Sequence, residues 1–259
     1  MLIAERQTRL REVLAKRRIL PLDILSEELR VSPSTVRRDV EALEQQGLVQ
    51  RTHGGVIWIG DRPAQGQARI YAFHQRMNVQ LEAKRKIAAA AARLVTTGQT
   101  ILLSGGTTTF YLAEQLHGRS VQLITNSLPI ANLFMDDDNV ELIITGGLMY
   151  PRYGVMVGPT AENFLSTVHA SRMFFSTAGI LDRALYNQNM LLVAAERRMM
   201  EQSQQVVLLA DSGKFGGQAL VRLCDLSEID IVVSDSGLAA DQRRAVEDAG
   251  CELIIAENV

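Results

Sequence analysis

Three helical segments closed by a glycine-tipped hairpin, followed by apolar strands that alternate with helices, predict an α/β chain of two unequal parts. The chain has 259 residues, more than one average domain. Its 47% hydrophobic content, carried mainly by Ala, Val, Ile and Leu with only 5% aromatics, suits helices packed on parallel strands.

In the first part, Ile3, Leu10, Val13 and Leu14 place an apolar stripe on a helix that runs to about Arg17. Pro21 suits the first turn of a second helix, where Leu22, Leu25 and Leu29 share a face, and which ends near Arg30. Ser32 is an N-cap candidate, Pro33 fits the first helical position and Gly47 supplies a stop, so a third helix is predicted over 33–46. Two short strands, 48–52 and 56–59, flank His53-Gly54-Gly55, a hairpin turn signal. Three helices and a hairpin make a winged helix-turn-helix over residues 1–59.

Residues 60–79, with Gly60, Asp61, Pro63 and Gly66, predict a linker. The rest, 80–259, opens with an Ala-rich helix over about 80–95 and continues with strands near 100–103, 121–125, 140–144, 172–176 and 205–210. Further strand candidates stand at 229–234 and 251–255. Helical patterns separate most of them, which implies βαβ units, a mostly parallel sheet and ligand sites at the carboxyl ends of its strands.

Charge is slightly uneven. Residues 1–60 hold ten Lys and Arg against eight Asp and Glu, and the remaining 199 hold 17 against 21, so the basic excess sits in the small part. Cys224 and Cys251 are far apart and have no His at metal-ligand spacing, which predicts buried, reduced thiols and neither a disulfide framework nor a metal site. With no leader pattern and no run of 18 uncharged apolar residues, a cytoplasmic protein without a membrane partner is expected.

On the third helix Val36, Val40 and Leu43 face inward, which turns Ser34, Arg38 and Glu41 outward with Thr35 and Arg37 on the flanks. Arginine pairs with guanine in two hydrogen bonds, while hydroxyls and a helix N-terminus suit phosphate oxygens. Ser32, Ser34, Thr35, Arg37 and Arg38 are therefore candidate contacts to double-stranded DNA. Arg51 and His53 flank the hairpin tip, where Arg51 can meet the backbone or the minor groove. Asp39 lies near the buried side and suits a structural pairing with a neighbouring Arg.

In the second part, strand 100–103 runs through Ser104-Gly105-Gly106-Thr107-Thr108-Thr109 into a helix predicted over 110–116. Such a loop can cradle phosphate on backbone N–H groups and hydroxyls. The same strand-end layer carries Asn126, suited to a sugar hydroxyl, then Gly146 and Gly147, Arg152, which can close over a ligand, and Lys214, a point charge for phosphate. For each residue alone, a surface or turn role is an equal alternative.

Residues 6–56 resemble the DNA-binding domain of the DeoR family. The resemblance rests on Ser32-Pro33-Ser34-Thr35-Val36-Arg37-Arg38-Asp39-Val40, framed by Arg6, Leu10, Leu43 and Gly47 and by the Arg51-Thr52-His53-Gly54-Gly55 wing. Residues 80–255 resemble that family's C-terminal sensor domain, similar in fold to ribose-5-phosphate isomerase, through Ala83-Lys84-Arg85-Lys86-Ile87-Ala88, Gly106-Thr107-Thr108, Thr125-Asn126-Ser127, Gly146-Gly147, Val157-Gly158-Pro159 and Lys214-Phe215-Gly216. The resemblance implies a bacterial repressor of carbohydrate genes that answers to a phosphorylated sugar or sugar-like effector. Its departures are Ser104, where an acidic residue or Asn is usual, Ser171 for a frequent Asp, and Ala184 where Gly is common. Leu185 to Met190 can line a pocket or an oligomer contact.

A sugar-phosphate isomerase carrying a DNA-binding domain is the alternative. Isomerisation needs a base, and the strand end Phe175-Ser176-Thr177-Ala178-Gly179 offers no carboxylate, while His117 and His169 lie in or beside helices. A nicotinamide site is disfavoured because Gly105-Gly106-Thr107 lacks the G-x-G-x-x-G spacing. No cofactor is implied. One winged helix usually needs a second to read two half-sites, so a homo-oligomer, dimer or tetramer, is expected.

Overall fold

The computed structural model describes residues 3–17, 19–29, 31–45, 48–51, 55–58 and 73–257. The chain divides into two units, residues 1–65 and 66–259.

The first unit contains helix α1 (Ile3–Arg17), strand β1 (Ile19–Pro21), helices α2 (Leu22–Leu29) and α3 (Pro33–Gln45), and strands β2 (Val49–Arg51) and β3 (Gly55–Trp58). Leu10 and Leu14 of α1, Leu25 and Leu29 of α2, and Val36, Val40 and Leu43 of α3 close one core with Val49, Val56 and Trp58. Pro21 departs from expectation: it ends a strand rather than opening a helix. β1 pairs antiparallel with β3, Pro21 opposite Gly55, and stands at the edge of a three-stranded sheet ordered β1-β3-β2. An edge strand tolerates proline, because an N–H that would point away from the sheet is not needed there.

The second unit begins with α4 (Phe73–Met77) and α5 (Leu81–Ala92), then β4 (Thr100–Leu103), α6 (Thr107–Glu114), β5 (Val121–Thr125), α7 (Leu128–Leu133) and β6 (Val140–Ile144). A hairpin of β7 (Leu148–Tyr150) and β8 (Val155–Val157) leads through α8 (Pro159–Leu165) to β9 (Ala170–Phe175). Then come β10 (Gly179–Leu181), β11 (Ala184–Asn187), α9 (Met190–Glu201), β12 (Ser203–Leu209), β13 (Val221–Asp225), β14 (Ile231–Asp235), α10 (Ala240–Glu247) and β15 (Glu252–Ala256).

Seven of these strands form one parallel sheet, ordered β15-β14-β12-β9-β4-β5-β6. Alternate residues feed two cores. Ile101, Leu103, Phe174, Val207 and Val233 meet α5, α6 and α7 on one face, while Leu102, Met173, Phe175, Leu208 and Val232 meet α8, α9 and α10 on the other. Burial on both faces explains why the strands read as continuous apolar runs rather than alternating ones. The chain builds outward from β4 to β6, then returns to the middle at β9 and builds toward β15. The neighbouring carboxyl ends of β4 and β9 are therefore a topological switch point, where open α/β sheets hold ligands.

A second small sheet, β10-β11-β13, covers part of the β9–β12 end. Of the Leu185 to Met190 stretch, Leu185 is buried core on β11, Asn187 and Gln188 line a cavity as the pocket alternative expects, Asn189 caps α9 by accepting the Leu191 N–H at 2.7 Å, and Met190 is exposed. Cys224 and Cys251 are buried free thiols, and burial pushes the Cys224 thiol up to about 12.

Candidate functional site

Two places carry chemistry, one in each unit. In the first, Ser32 caps α3: its Oγ accepts the Thr35 N–H at 3.3 Å and lies 2.9 Å from Ser34 Oγ and 2.8 Å from Thr35 Oγ1. Ser32, Ser34, Arg37 and Arg38 are exposed and Thr35 half-buried, while Val36 and Val40 are sealed beneath them. The N-terminal turn of α3 thus presents three hydroxyls and two guanidinium groups on a rigid element. Asp39 is 4% exposed and takes two hydrogen bonds from Arg6, the Nη2 one at 3.0 Å, which ties α3 to α1. Arg51 ends β2, and His53 lies outside the described residues.

In the second unit a cavity of about 320 Å³ opens at the switch point, near the low end of the ~300–1,000 Å³ usual for metabolite sites. Gly105, Gly106, Thr107, Thr108 and Lys214 line it, as the sequence suggests. Thr107 already belongs to α6, so the hydroxyl run is the first turn of a helix and not a loop. Three consecutive β-branched residues disfavour helix locally, and here burial overrides that preference. The helix start, whose first N–H groups have no intrahelical acceptor, lines the cavity through Gly106, Thr107 and Thr108.

The other expected ligand residues have different work. Asn126 does not line the cavity: its Oδ1 accepts the Gly105 N–H at 3.2 Å and its Nδ2 donates to Met156 O at 3.1 Å, bracing the Gly105 turn. Thr109 Oγ1 donates to Ser104 O at 2.7 Å, and Ser104 Oγ lies behind the wall, donating to Glu196 Oε1 at 3.1 Å. Gly146, Gly147 and Arg152 are outside the lining. Gly147 has φ +115°, and a Cβ there would stand 2.9 Å from Val157 O, so glycine serves chain packing at that point. Gly105 is likewise required by packing, since its Cβ would stand 2.1 Å from Val155 Cγ1.

Four charged residues also line it: Asp211, in the strand-end loop that carries Lys214, and Arg76, Lys84 and Glu196, which were not among the expected ligand contacts. Lys84 is 4% exposed and its Nζ donates to Arg76 O at 2.6 Å. Burial pushes its ammonium down to about 8, with Lys214 and Arg76 adding to the depression and Asp211 opposing it. Burial also lowers Lys214 and Arg76 from their ordinary values. The Arg76 guanidinium lies over the Tyr153 ring, 4.6 Å from its centre, and its Nε and Nη2 are buried without a hydrogen-bond partner among the described residues. Glu196 is buried on α9 and also accepts from Asn187 Nδ2 at 2.6 Å.

A sequence signal existed for two of these. Lys84 shares an apolar stripe with Ile87, Ala88 and Ala91, and Glu196 sits beside Leu192, Ala195 and Met199 on the inward face of α9. Arg76 falls in the stretch expected to be linker. The described residues hold no cluster of three His, Cys, Asp or Glu able to bind a metal, and no helix long and apolar enough to cross a membrane.

An exposed helix face bearing hydroxyls and arginines in one unit and a metabolite-sized cavity in the other are the layout of a DNA-binding regulator with a sensor domain. Residues 6–61 match the DeoR-like helix-turn-helix domain and residues 79–236 the DeoR C terminal sensor domain. The chain is 32% identical to YulB of Bacillus subtilis, an HTH-type transcriptional regulator, over 96% of this chain and 95% of that protein. It is 33% identical to the HTH-type transcriptional regulator GlpR of Haloferax volcanii over 98% of each. It is 32% identical to the L-fucose operon activator of Haemophilus influenzae over 86% of this chain and 88% of that one. Among solved structures, ribose 5-phosphate isomerase A of Methanocaldococcus jannaschii aligns at 18% identity over 52% of this chain and 55% of that one, with a TM-score of 0.39. The chain belongs to the DeoR family of transcriptional regulators and is a DNA-binding regulator rather than an enzyme.

Proposed function

We propose that this regulator represses carbohydrate catabolism genes, binds double-stranded operator DNA as a homo-oligomer, and is controlled by a phosphorylated sugar or sugar-like metabolite held in the switch-point cavity. The observation that carries the effector reading is the cation set. Arg76, Lys84 and Lys214 line one cavity, Asp211 is the acid that acts on the two lysines, and two Arg76 nitrogens are buried without a hydrogen-bond partner among the described residues. An unmet buried guanidinium beside two desolvated ammonium groups and a helix N-terminus calls for a multivalent anion. A phosphate supplies the charge and the oxygens together.

Ser32, Ser34, Thr35, Arg37 and Arg38 are the proposed DNA contacts, with Arg51 and His53 on the wing. The test is operator binding titrated with matched phosphorylated and unphosphorylated sugars. The phosphorylated form alone should release DNA, and equal potency of the two would sink the reading. Because one relative is named an activator, in vitro transcription from the bound promoter supplies the sign of control: transcription restored by the effector supports repression.

A further inference from the structure

We propose that Glu196 reads the unphosphorylated end of the effector, accepting hydrogen bonds from hydroxyl groups there and rejecting a ligand that carries a carboxylate or second phosphate at that end. The effector class that follows is a polyol or sugar monophosphate with an uncharged tail. This assignment rests on the phosphate reading of the cavity.

Glu196 lines the same cavity as the three cations, yet it forms no ion pair among the described residues. The acid whose charge acts on Lys84 and Lys214 is Asp211, whereas Tyr153 feels both Arg76 and Glu196. Glu196 therefore stands in the cavity wall without an ion-pair partner of its own among the described residues, an acceptor that the three cations do not occupy. A buried carboxylate with no counter-charge costs several kcal/mol to keep ionised unless donors reach it. Two do: Ser104 Oγ at 3.1 Å and Asn187 Nδ2 at 2.6 Å, and Asn187 is itself fixed because its Oδ1 accepts the Ala178 N–H at 3.0 Å. A carboxylate offers about four acceptor positions. Two remain, on a residue that lines the cavity.

A polyol hydroxyl satisfies such a position at little cost. A ligand carboxylate would instead set two anions against each other in a desolvated space, which forces one to take up a proton. Burial already pushes Glu196 up to about 7, the sign of a group poised where a neighbouring donor or anion decides its charge. The contact with Ser104 adds a second handle, because a carboxylate built at position 104 would return the charge to the same strand end.

Calorimetric titration of the full chain with an alditol monophosphate and the aldonic acid phosphate of equal chain length tests this, with inorganic phosphate as a reference ligand for the wild type. The alditol phosphate should bind at least about tenfold more tightly than the aldonic acid phosphate. Glu196→Gln should narrow that ratio to within about threefold, and Ser104→Asp combined with Glu196→Gln should restore it. Equal affinities in wild type, or an undiminished ratio in Glu196→Gln, would overturn the assignment while leaving phosphate binding standing. If neither phosphorylated ligand nor inorganic phosphate binds wild type, the phosphate reading falls first and this assignment with it. The wild-type ratio needs no variant, so the assignment stays refutable even if a substituted chain folds poorly.

Discussion

Glu196 shows how one buried acid trades stability for selectivity. Its ordinary value of 4.5 is pushed up to about 7 by burial, with Asn187 and Ser104 only partly opposing the rise. Below pH 4.5 both folded and unfolded chains hold the proton and the group contributes nothing. Above that value the unfolded chain ionises first, so stability falls as pH rises, and the full penalty stands above pH 7. Glu196→Gln should therefore raise the unfolding free energy of the ligand-free protein at pH 8 by up to about 3 kcal/mol, seen as a higher melting temperature, and change it little at pH 5. A melting temperature at pH 8 unchanged by the substitution would show that the acid is not destabilised by its site.

The same titration sets the pH dependence of selectivity. The phosphate is common to both ligands and cancels in the ratio, whereas Arg76, Lys84 and Lys214 attract the extra carboxylate of the aldonic acid phosphate, and Lys84, held down to about 8, loses charge over the same range. Tyr153 and Cys224, the other titratable groups that feel Glu196, are both shifted up by burial and stay neutral through pH 8. The preference for an uncharged tail should grow between pH 6 and pH 8, as Glu196 gains its charge, and grow less steeply in Glu196→Gln, where Lys84 still titrates. On the DNA face, Arg38→Ala should weaken operator binding by about 1–3 kcal/mol if it reads a base. Unchanged affinity in gel-shift titrations of the folded variant would remove Arg38 from the reading set.

Helices and strands differ in how far they can be read in advance. The seven parallel strands are legible because burial on both faces leaves unbroken apolar runs, and α3 because its cap, its proline and its inward stripe agree. β1, β7, β10 and β11 are three or four residues long and exist through pairing with distant partners, as Ile19 does with Ile57 and Ala184 with Asp225. No local period encodes such contacts. The cavity is half legible for the same reason: its glycine and threonine wall is one contiguous stretch, while Arg76, Lys84 and Glu196 arrive from separate helices. Gly105 illustrates the limit, since it looks like a ligand-approach glycine and is in fact pressed by Val155 from β8. Gly105→Ala should cost about 1–3 kcal/mol of unfolding free energy by chemical denaturation, and Val155→Ala in the same chain should recover much of it. Additive losses in the double variant would separate the two residues.

Across the whole molecule, effector and operator must answer to each other. If the effector lowers operator affinity tenfold, a coupling of about 1.4 kcal/mol, operator DNA must lower effector affinity by the same factor. Lys214→Ala should weaken the effector and leave effector-free DNA binding nearly intact. A response of full sensitivity in that variant would displace the phosphate from this end of the cavity. The parallel sheet adds a consequence in time. Its switch point assembles the cavity from Arg76 and Lys214, which lie far apart in the chain, whereas the first unit is drawn from residues 1–65. At synthesis rates of about 5–20 residues per second, roughly ten to thirty seconds separate the emergence of the first unit from that of Lys214. For that interval the growing chain has emerged with its helix-turn-helix unit and without the complete effector cavity.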